Sequence, residues 1–301
     1  MKPAPFDYHA PSTTDEALEL LQRYGPEAKP LAGGQSLVPA MNFRLAQPGV
    51  LVDLNRITDL AGIHTGDGGS LRIGAMTRQR ALERSHLVTT RAPLLAEAMP
   101  HVAHPPIRNR GTAGGSLAHA DPASELPAVM TALGARFRLR SREGERWIPA
   151  ADFFFGLFAT ALEPGELLVE IEIPAPAPRT GFAFMEIARR HGDYALAGIA
   201  ARLELDPAGR CSDVRMVLFG VGEGPVSVAA AEALVRGESP SEEVFAAAAA
   251  LVERALDPPG DIHATSAYRR RLAGVLTRRA LARAVRRADG LTGERTGGRL
   301  D

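Results

Sequence analysis

Apolar and polar positions alternate in short blocks along the first half of the chain, which predicts a mixture of short helices and strands. Thr13 and Glu16 have the spacing of a helix capping box, an apolar run follows at 17–21, and Gly25 ends this helix. Strands are predicted at 29–32, 50–54, 71–75, 135–140, 146–148 and 167–173, and further helices at 77–86, 91–101 and 122–133. Thr77 is the predicted cap of the second helix, and residues 104–116 are predicted as a long loop.

The pattern changes after a proline-rich stretch at 174–181, which is the predicted linker between two domains. Strands are predicted beyond it at 182–190, 195–205 and 214–220, followed by helices at 227–235, 241–255 and 265–287. Strands followed by helices are typical of an α+β domain. We therefore expect one domain at 1–176, with subdomains of about 1–55 and 56–176, and a second at 178–287. Residues 288–301 are expected to form a disordered tail.

Composition excludes several classes of protein. The 301 residues carry 35 basic and 35 acidic side chains, so there is no overall positive field to attract nucleic acid. The single cysteine, Cys211, excludes a disulfide framework and any four-cysteine metal or iron–sulfur site within the chain. No apolar run is long enough to span a membrane, and the first residues lack the apolar core of a secretory signal. A cytoplasmic location is expected.

Two similar segments, LAGGQSL at 31–37 and GTAGGSL at 111–117, are the strongest candidates for ligand contact. Adjacent glycines let the backbone approach a ligand closely, and successive amides in such turns form anion-binding concavities. Two such loops facing each other are suited to the two phosphates of one dinucleotide. The alternative is that each is only a tight turn.

Other motifs point to structural roles. The glycines of Gly220-Val-Gly222-Glu-Gly224 lack the spacing of a dinucleotide fingerprint, since Pro225 stands where a further glycine is needed, so a surface turn is predicted. Loop packing is predicted for His101, His104 and His119, and a metal site is not. The eight arginines between 269 and 287 predict an amphipathic helix with a basic outer side, either solvated or docked to a protein, and Tyr268, Leu272, Val275 and Leu276 on its other face. No nucleophile motif is present, so no catalytic residue is predicted.

The stretches KPLAGGQSLVPAMNFR (29–44) and RNRGTAGGSLAHADPASELP (108–127) resemble the FAD-binding medium subunit of molybdenum hydroxylases. That family includes the medium subunit of carbon monoxide dehydrogenase and the FAD domain of xanthine dehydrogenase. The resemblance implies an α+β fold. A PCMH-type FAD domain, like that of vanillyl-alcohol oxidase, would be built from two α/β subdomains. A C-terminal α+β domain with a three-stranded antiparallel sheet and helices would follow it.

The resemblance also implies which residues contact FAD. The first loop would contribute Lys29, Leu31, Ala32, Gly33, Gly34, Gln35, Ser36 and Leu37, and the second Thr112, Ala113, Gly114, Gly115 and Ser116. Single contacts are implied for Val102, for Asp121 and Glu125 at the sugar and adenine end, for Leu168 beside the adenine, and for Tyr194 beside the isoalloxazine. Two residues depart from the xanthine dehydrogenase pattern: Glu125 replaces a shorter aspartate, and Met185 replaces a lysine near the flavin, which brings the use of NAD into question.

The function implied is electron relay. FAD on this chain would receive electrons from the [2Fe-2S] clusters of a small partner subunit, after a large molybdopterin subunit has oxidised the substrate, and would pass them to an external acceptor. The assembly implied is a dimer of heterotrimers. Two alternatives remain at this point: a self-sufficient FAD-dependent oxidase or dehydrogenase of the same fold, and a cofactor-free binding module.

Overall fold

A computed structural model describes residues 2–290 and begins with a small parallel sheet. Its elements are β1 (Asp7–His9), α1 (Thr14–Tyr24), β2 (Ala28–Leu31), α2 (Leu37–Asn42) and β3 (Val50–Asp53). The strand order is β1-β3-β2, with both pairings parallel. As predicted, the Thr13 hydroxyl accepts the amide hydrogen of Glu16 at the start of α1, and Gly25 ends the helix.

A five-stranded antiparallel sheet with six short helices follows. Its elements are β4 (Ile63–Thr65), β5 (Leu71–Gly74), α3 (Gln79–Arg84), α4 (His86–Arg91), α5 (Pro93–Ala98), α6 (Pro105–Arg110), α7 (Ala113–His119), α8 (Glu125–Leu133), β6 (Arg136–Arg140), β7 (Glu145–Pro149) and β10 (Leu167–Ile173), with the small hairpin β8 (Phe154–Gly156) and β9 (Ala159–Thr160) between β7 and β10. The strand order is β4-β5-β10-β6-β7.

Two predictions in this region are wrong. Thr77 does not cap α3, because its hydroxyl bonds to the backbone of Gly62 and the N-cap position belongs to Arg78. Residues 104–116 are not a loop, because they contain α6 and the first half of α7. Helix α6 begins with two prolines, which suit a first helical turn because its amides have no acceptor within the helix.

Strand β10 lies at the centre of the larger sheet and is buried along its whole length. Its alternating pattern is typical of a half-buried strand. The polar positions, Glu170 and Glu172, are instead covered by arginines: Arg72 lies 3.5 Å from Glu170, and Arg136 lies 3.0 Å from Glu172. Ion pairing therefore lets both faces of β10 pack, and Val169 reaches the core of the small parallel sheet.

The C-terminal part contains the three predicted antiparallel strands and the three predicted helices. The elements are β11 (Thr180–Ala188), β12 (Ala195–Leu205), β13 (Cys211–Phe219), β14 (Val226–Ser227), α9 (Ala229–Val235), α10 (Glu242–Ala255) and α11 (Ser266–Ala288). The two-residue β14 adds a fourth strand, in the order β11-β12-β13-β14. One face of this sheet packs on the preceding core through Phe182 and Phe184, and the other packs on the helices through Ala183 and Met185.

Helix α11 differs from the predicted amphipathic helix. Its buried face includes Ala273, Leu276 and Ala280, whereas Tyr268 is 49% exposed and Arg269 is buried. The helix runs to Ala288 and a turn follows at 289–290, so these residues do not form the expected disordered tail; the rest of that prediction, 291–301, lies outside the described residues. Within residues 2–290, none of the helices has the length and apolar character needed to cross a membrane.

Candidate functional site

A cleft of about 1490 Å³ is walled by residues from all three main sheets and their loops. This exceeds the roughly 300–1,000 Å³ of pockets for drug-sized ligands, and it suits an extended dinucleotide. All but two of the residues expected to contact FAD line it: Lys29, Ala32, Gly33, Gly34, Gln35, Ser36, Leu37, Val102, Thr112, Gly114, Gly115, Ser116, Asp121, Glu125, Leu168 and Tyr194. The exceptions are Leu31, the half-buried last residue of β2, and Ala113, which is fully buried in the core.

The first double-glycine loop joins β2 to α2 and offers free backbone amides. Within residues 2–290, the amides of Gly34, Gln35 and Ser36 donate no hydrogen bond to the protein. Gly34 has a φ of 74°, which glycine adopts without strain. The Gln35 side chain donates to the Gly33 carbonyl at 3.1 Å and so supports the turn. Consecutive free amides favour the binding of an anion. The first loop therefore has the free donors that the predicted anion-binding loop needs.

The second double-glycine segment differs, because its backbone amides are already used. Ala113 donates to the Thr77 carbonyl at 2.9 Å, and Gly114 donates to the Ala75 carbonyl at 2.8 Å. The next two amides donate to the hydroxyl and the carbonyl of Thr112, which caps α7. The prediction of a second backbone concavity for anions is therefore wrong. What this segment offers the cleft is side-chain hydroxyls and a closely packed wall.

The two glycine loops interlock. A Cβ on Gly33 would lie 2.4 Å from the Arg110 carbonyl oxygen and 2.8 Å from the Gly111 Cα. A Cβ on Gly115 would lie 3.2 Å from the Ala32 Cβ. Glycine is thus required at Gly33 for close approach of the two backbones rather than for an unusual φ. The contact holds the first loop, with its free amides, against the second loop.

Two polar residues that were not predicted as site residues connect the two glycine loops by hydrogen bonds. Asn55 donates through its side-chain amide to the Ala32 carbonyl at 2.9 Å. Arg78 donates to the Asn55 side-chain oxygen at 2.6 Å and also to the Arg110 carbonyl. One guanidinium therefore links both loops. Nothing in the local pattern around either residue indicates this role.

Val102 is positioned by Arg108, a buried arginine at the start of the second motif. The Arg108 guanidinium donates to the Val102 carbonyl at 2.7 Å and to the Ala103 carbonyl at 3.0 Å. Its other edge forms a two-point ion pair with Glu83 at 3.0 and 3.1 Å. Although burial alone would raise the pKa of Glu83, hydrogen bonds from Arg108 and Arg80 hold it below its usual value. This segment is therefore fixed against the cleft.

Asp121, Glu125 and Tyr194 bring titratable groups to the cleft. Tyr194 is 62% exposed, but its hydroxyl reaches Asp121 inside the cleft. Desolvation there, followed by the charge of Asp121 and a hydrogen bond to it, raises the pKa of Tyr194 to about 12. Glu125 begins α8 and is only 5% exposed; burial, followed by repulsion from Glu186, raises its pKa to about 8. Glu125 is therefore protonated at neutral pH and can donate a hydrogen bond.

Further cleft residues were not predicted as contacts. The His119 ring lies 5.1 Å from the Phe158 ring between centroids, which provides flat surfaces for an aromatic ligand. Burial lowers the pKa of His119, which favours its neutral form. Arg189 and His263 also line the cleft, with 2.9 Å between Arg189 Nη1 and His263 Nδ1. These pairs come from segments far apart in the chain, so the sequence pattern could not indicate them.

Two expectations about the C-terminal part are corrected here. The segment 219–225 is not only a surface turn: Gly220 lines the cleft, donates to the Pro122 carbonyl at 2.8 Å and accepts a hydrogen bond from Arg269 at 3.1 Å. Met185, expected near the flavin, does not line the cleft, because its position on β11 turns it toward the helices. Met185 itself therefore makes no direct contact with the cleft.

The donors and shape of the cleft fit FAD. Free amides suit a pyrophosphate, the hydroxyl-bearing residues Thr112 and Ser116 line the same cleft, and Tyr194 adds an aromatic ring to its lining. Among residues 2–290, no group of three or more histidine, cysteine, aspartate or glutamate side chains could hold a metal ion.

Comparisons with known proteins agree with this fit. Residues 4–176 match the family described as the FAD binding domain in molybdopterin dehydrogenase, and residues 182–284 match the CO dehydrogenase flavoprotein C-terminal domain. The chain is 43% identical to the 6-hydroxypseudooxynicotine dehydrogenase complex subunit alpha of Paenarthrobacter nicotinovorans, covering 96% of this chain and 97% of that one. It is 41% identical to the carbon monoxide dehydrogenase medium chain of Afipia carboxidovorans, covering 96% and 99%.

A solved carbon monoxide dehydrogenase from Hydrogenophaga pseudoflava has a chain that matches with a TM-score of 0.91 and 42% identity, over 94% of this chain and 98% of that one. Both domains, the near-complete coverage and the interlocked glycine loops lead to one assignment. The chain belongs to the family of FAD-binding subunits of molybdopterin dehydrogenases.

Proposed function

We propose that this chain is the FAD-carrying, electron-transfer subunit of a molybdenum-dependent dehydrogenase. The observation that carries the proposal is the cleft: its first loop offers three consecutive free amides, held by an interlocked second loop in a chain whose family binds FAD. FAD bound here would supply two-electron chemistry that no side chain can perform.

The residues of this chain bind and orient the cofactor. The amides of Gly34, Gln35 and Ser36 would bind the pyrophosphate, and the Ser116 hydroxyl would donate from the facing wall. Tyr194 would lie against the isoalloxazine. The charge of Glu125 acts on Tyr194, so we place Glu125 at this end of the cofactor rather than at the sugar and adenine end that the resemblance implies. Protonated at neutral pH, Glu125 would donate a hydrogen bond rather than repel a reduced flavin. No residue of this chain is assigned a role in breaking substrate bonds.

Substrate oxidation would take place on another subunit. The relatives are named for substrates as unlike as 6-hydroxypseudooxynicotine and carbon monoxide, although their chains match this one over nearly their whole length. A cleft shared by such enzymes serves a common cofactor rather than the substrate. We therefore include in the proposal a small [2Fe-2S] subunit, a large molybdopterin subunit, assembly as a dimer of heterotrimers and an external electron acceptor. The cytoplasmic location also belongs to it, and the lone buried Cys211 agrees with a reducing compartment.

Flavin retention is the first test. We expect the purified chain, incubated with FAD and desalted, to keep about one flavin per chain by its visible absorption. The double substitution Gly33→Val and Gly114→Val should abolish FAD retention, because a valine side chain at either position would clash with neighbouring atoms. Gly224→Val is the matched control, since a Cβ there meets no atom within 4 Å. Equal retention by the double variant would refute the assignment of the two loops.

Assembly with partner subunits separates relay from a self-sufficient enzyme. We expect the flavin-loaded chain to co-elute with the iron–sulfur and molybdenum subunits in size-exclusion chromatography, and its flavin to be reduced by substrate only in that complex. Turnover of a substrate by the isolated chain would instead support an independent flavin oxidase or dehydrogenase. A chain that assembles but never carries flavin would support a cofactor-free module.

A further inference from the structure

Two buried glutamates and a histidine lie between the cleft and the protein surface. Glu125 lines the cleft, and Glu186 on β11 has a side chain that is 4% exposed. One Glu186 carboxylate oxygen, Oε1, lies 3.1 Å from His101 Nδ1. The other, Oε2, is buried and has no hydrogen-bond partner within the described part of the chain. A buried carboxylate oxygen without a partner costs stability, and a proton is one partner that would satisfy it.

Little positive charge surrounds the carboxyl group of Glu125. Arg108 is the cation that acts on it, but the Arg108 guanidinium is committed to Glu83 and to two backbone carbonyls. The carboxyl groups of Glu186 and Asp121 repel a negative charge on Glu125, and Tyr194 lies beside it. A carboxyl group in such surroundings keeps its proton.

His101 provides the outlet to solvent. Its side chain is 35% exposed, and its ring meets the exposed ring of His191 edge-on, with 5.7 Å between centroids. The ring also packs against Phe184, which holds it over Glu186. His101 thus lies at the surface and contacts the buried Glu186, and Glu125 lines the cleft close enough to Glu186 for the two carboxyl groups to repel each other. Imidazole and carboxyl groups are the side chains best suited to moving protons near neutral pH.

We propose that His101, Glu186 and Glu125 form a proton path between solvent and the wall of the cleft. This path rests on the proposed function. It would deliver protons to the cleft when a bound flavin is reduced, and it would carry them back to solvent when the flavin is reoxidised. The transfers balance in this order: Glu125 first gives its own proton to the cleft and becomes a carboxylate, protonated His101 gives the proton on Nδ1 to Glu186 Oε1, Glu186 passes one proton on to Glu125, and solvent reprotonates His101. The electrons come from the partner's iron–sulfur clusters and leave to the external acceptor.

Infrared spectroscopy tests the path on the chain without flavin. We expect a C=O stretch of a protonated carboxyl group near neutral pH that disappears in Glu125→Gln and titrates with a midpoint of about 8. After transfer to D₂O, the isotope shift of this band should be slower by about tenfold or more in Glu186→Gln and in His101→Phe. Glu232→Gln is the matched control. Burial also raises the pKa of Glu232, but this carboxylate accepts a hydrogen bond from the Met216 amide and is not part of the proposed path.

The outcomes separate this proposal from the proposed function. Absence of the band, a band that survives Glu125→Gln, or isotope exchange as fast in both path variants as in the parent chain would overturn the path. A melting temperature close to that of the parent chain verifies that each variant is folded. Failure of the chain to retain flavin would count against the proposed function alone, because the band is measured without flavin.

Discussion

Replacing Gly33 by alanine tests whether contact between the two glycine loops builds the cofactor site. The new methyl group would lie 2.4 Å from the Arg110 carbonyl oxygen and 2.8 Å from the Gly111 Cα, both of them backbone atoms that cannot rotate away. The loops must therefore move apart. Overpacking of this kind costs about 1–3 kcal/mol. For a protein of this size, the melting temperature falls by about 2–4 °C per kcal/mol.

FAD binding should weaken in addition to stability, because the movement displaces the first loop, which carries the free amides of Gly34, Gln35 and Ser36, from the second loop. We expect affinity for FAD to fall by about tenfold or more, corresponding to roughly 1.4 kcal/mol. The assays are a thermal melt and a fluorescence titration with FAD. Gly224→Ala, in open space, should change neither. Parent-like affinity and melting temperature in Gly33→Ala would refute the claim that close backbone contact shapes the site.

Three further predictions concern buried charge. Burial raises the pKa of Glu125 in the folded chain to about 8, above the ordinary 4.5 of a glutamate. The contribution of this group to stability is therefore present at low pH and is lost as pH rises to about 8, by up to roughly 5 kcal/mol. Urea unfolding at about pH 5 and about pH 9 should show this loss, and Glu125→Gln should remove it. Arg108→Met leaves Glu83 with Arg80 as its remaining cation and removes the donor to the Val102 and Ala103 carbonyls, so it should cost about 1–3 kcal/mol in urea unfolding and weaken FAD retention; a parent-like midpoint would contradict the bracing role. Glu172→Leu on β10 removes the partner of Arg136 and should destabilise the chain in the same assay by far more than Glu19→Gln. The exposed ion pair of Glu19 with Arg23 contributes about 0–1 kcal/mol, so equal effects of the two substitutions would contradict a buried network at Glu172.

The proposed relay and the proton path make complementary demands on one cleft. The free amides near Gly34 attract an anionic cofactor, whereas the wall at Glu125 is kept neutral by burial and by neighbouring acids. A reduced flavin carries more negative charge than an oxidised one, so a protonated carboxyl group nearby stabilises it where a carboxylate would repel it. The same residue can thus influence both the flavin's potential and its proton supply.

Local patterns predicted the elements whose ends are determined by near neighbours. Thr13 and Gly25 bound α1, and Ser241 and Thr265 cap α10 and α11, because capping depends on residues within one helical turn. The two double-glycine motifs were recognisable for the same reason. The prediction failed at 104–116, where glycines within a helical segment were interpreted as signs of a loop.

By itself, the sequence determined the alternation of elements, the division between the two halves and the segments that meet at the cleft. Only the tertiary structure decided which amides stay free, since those of Ala113 and Gly114 are taken by carbonyls nearly forty residues earlier in the chain. It also decided that Glu125 and Glu186 act on each other, and that Met185 faces the helices rather than the cleft. Burial and long-range charge arise from packing between distant segments, whereas local patterns report only the face that each residue occupies within its own element.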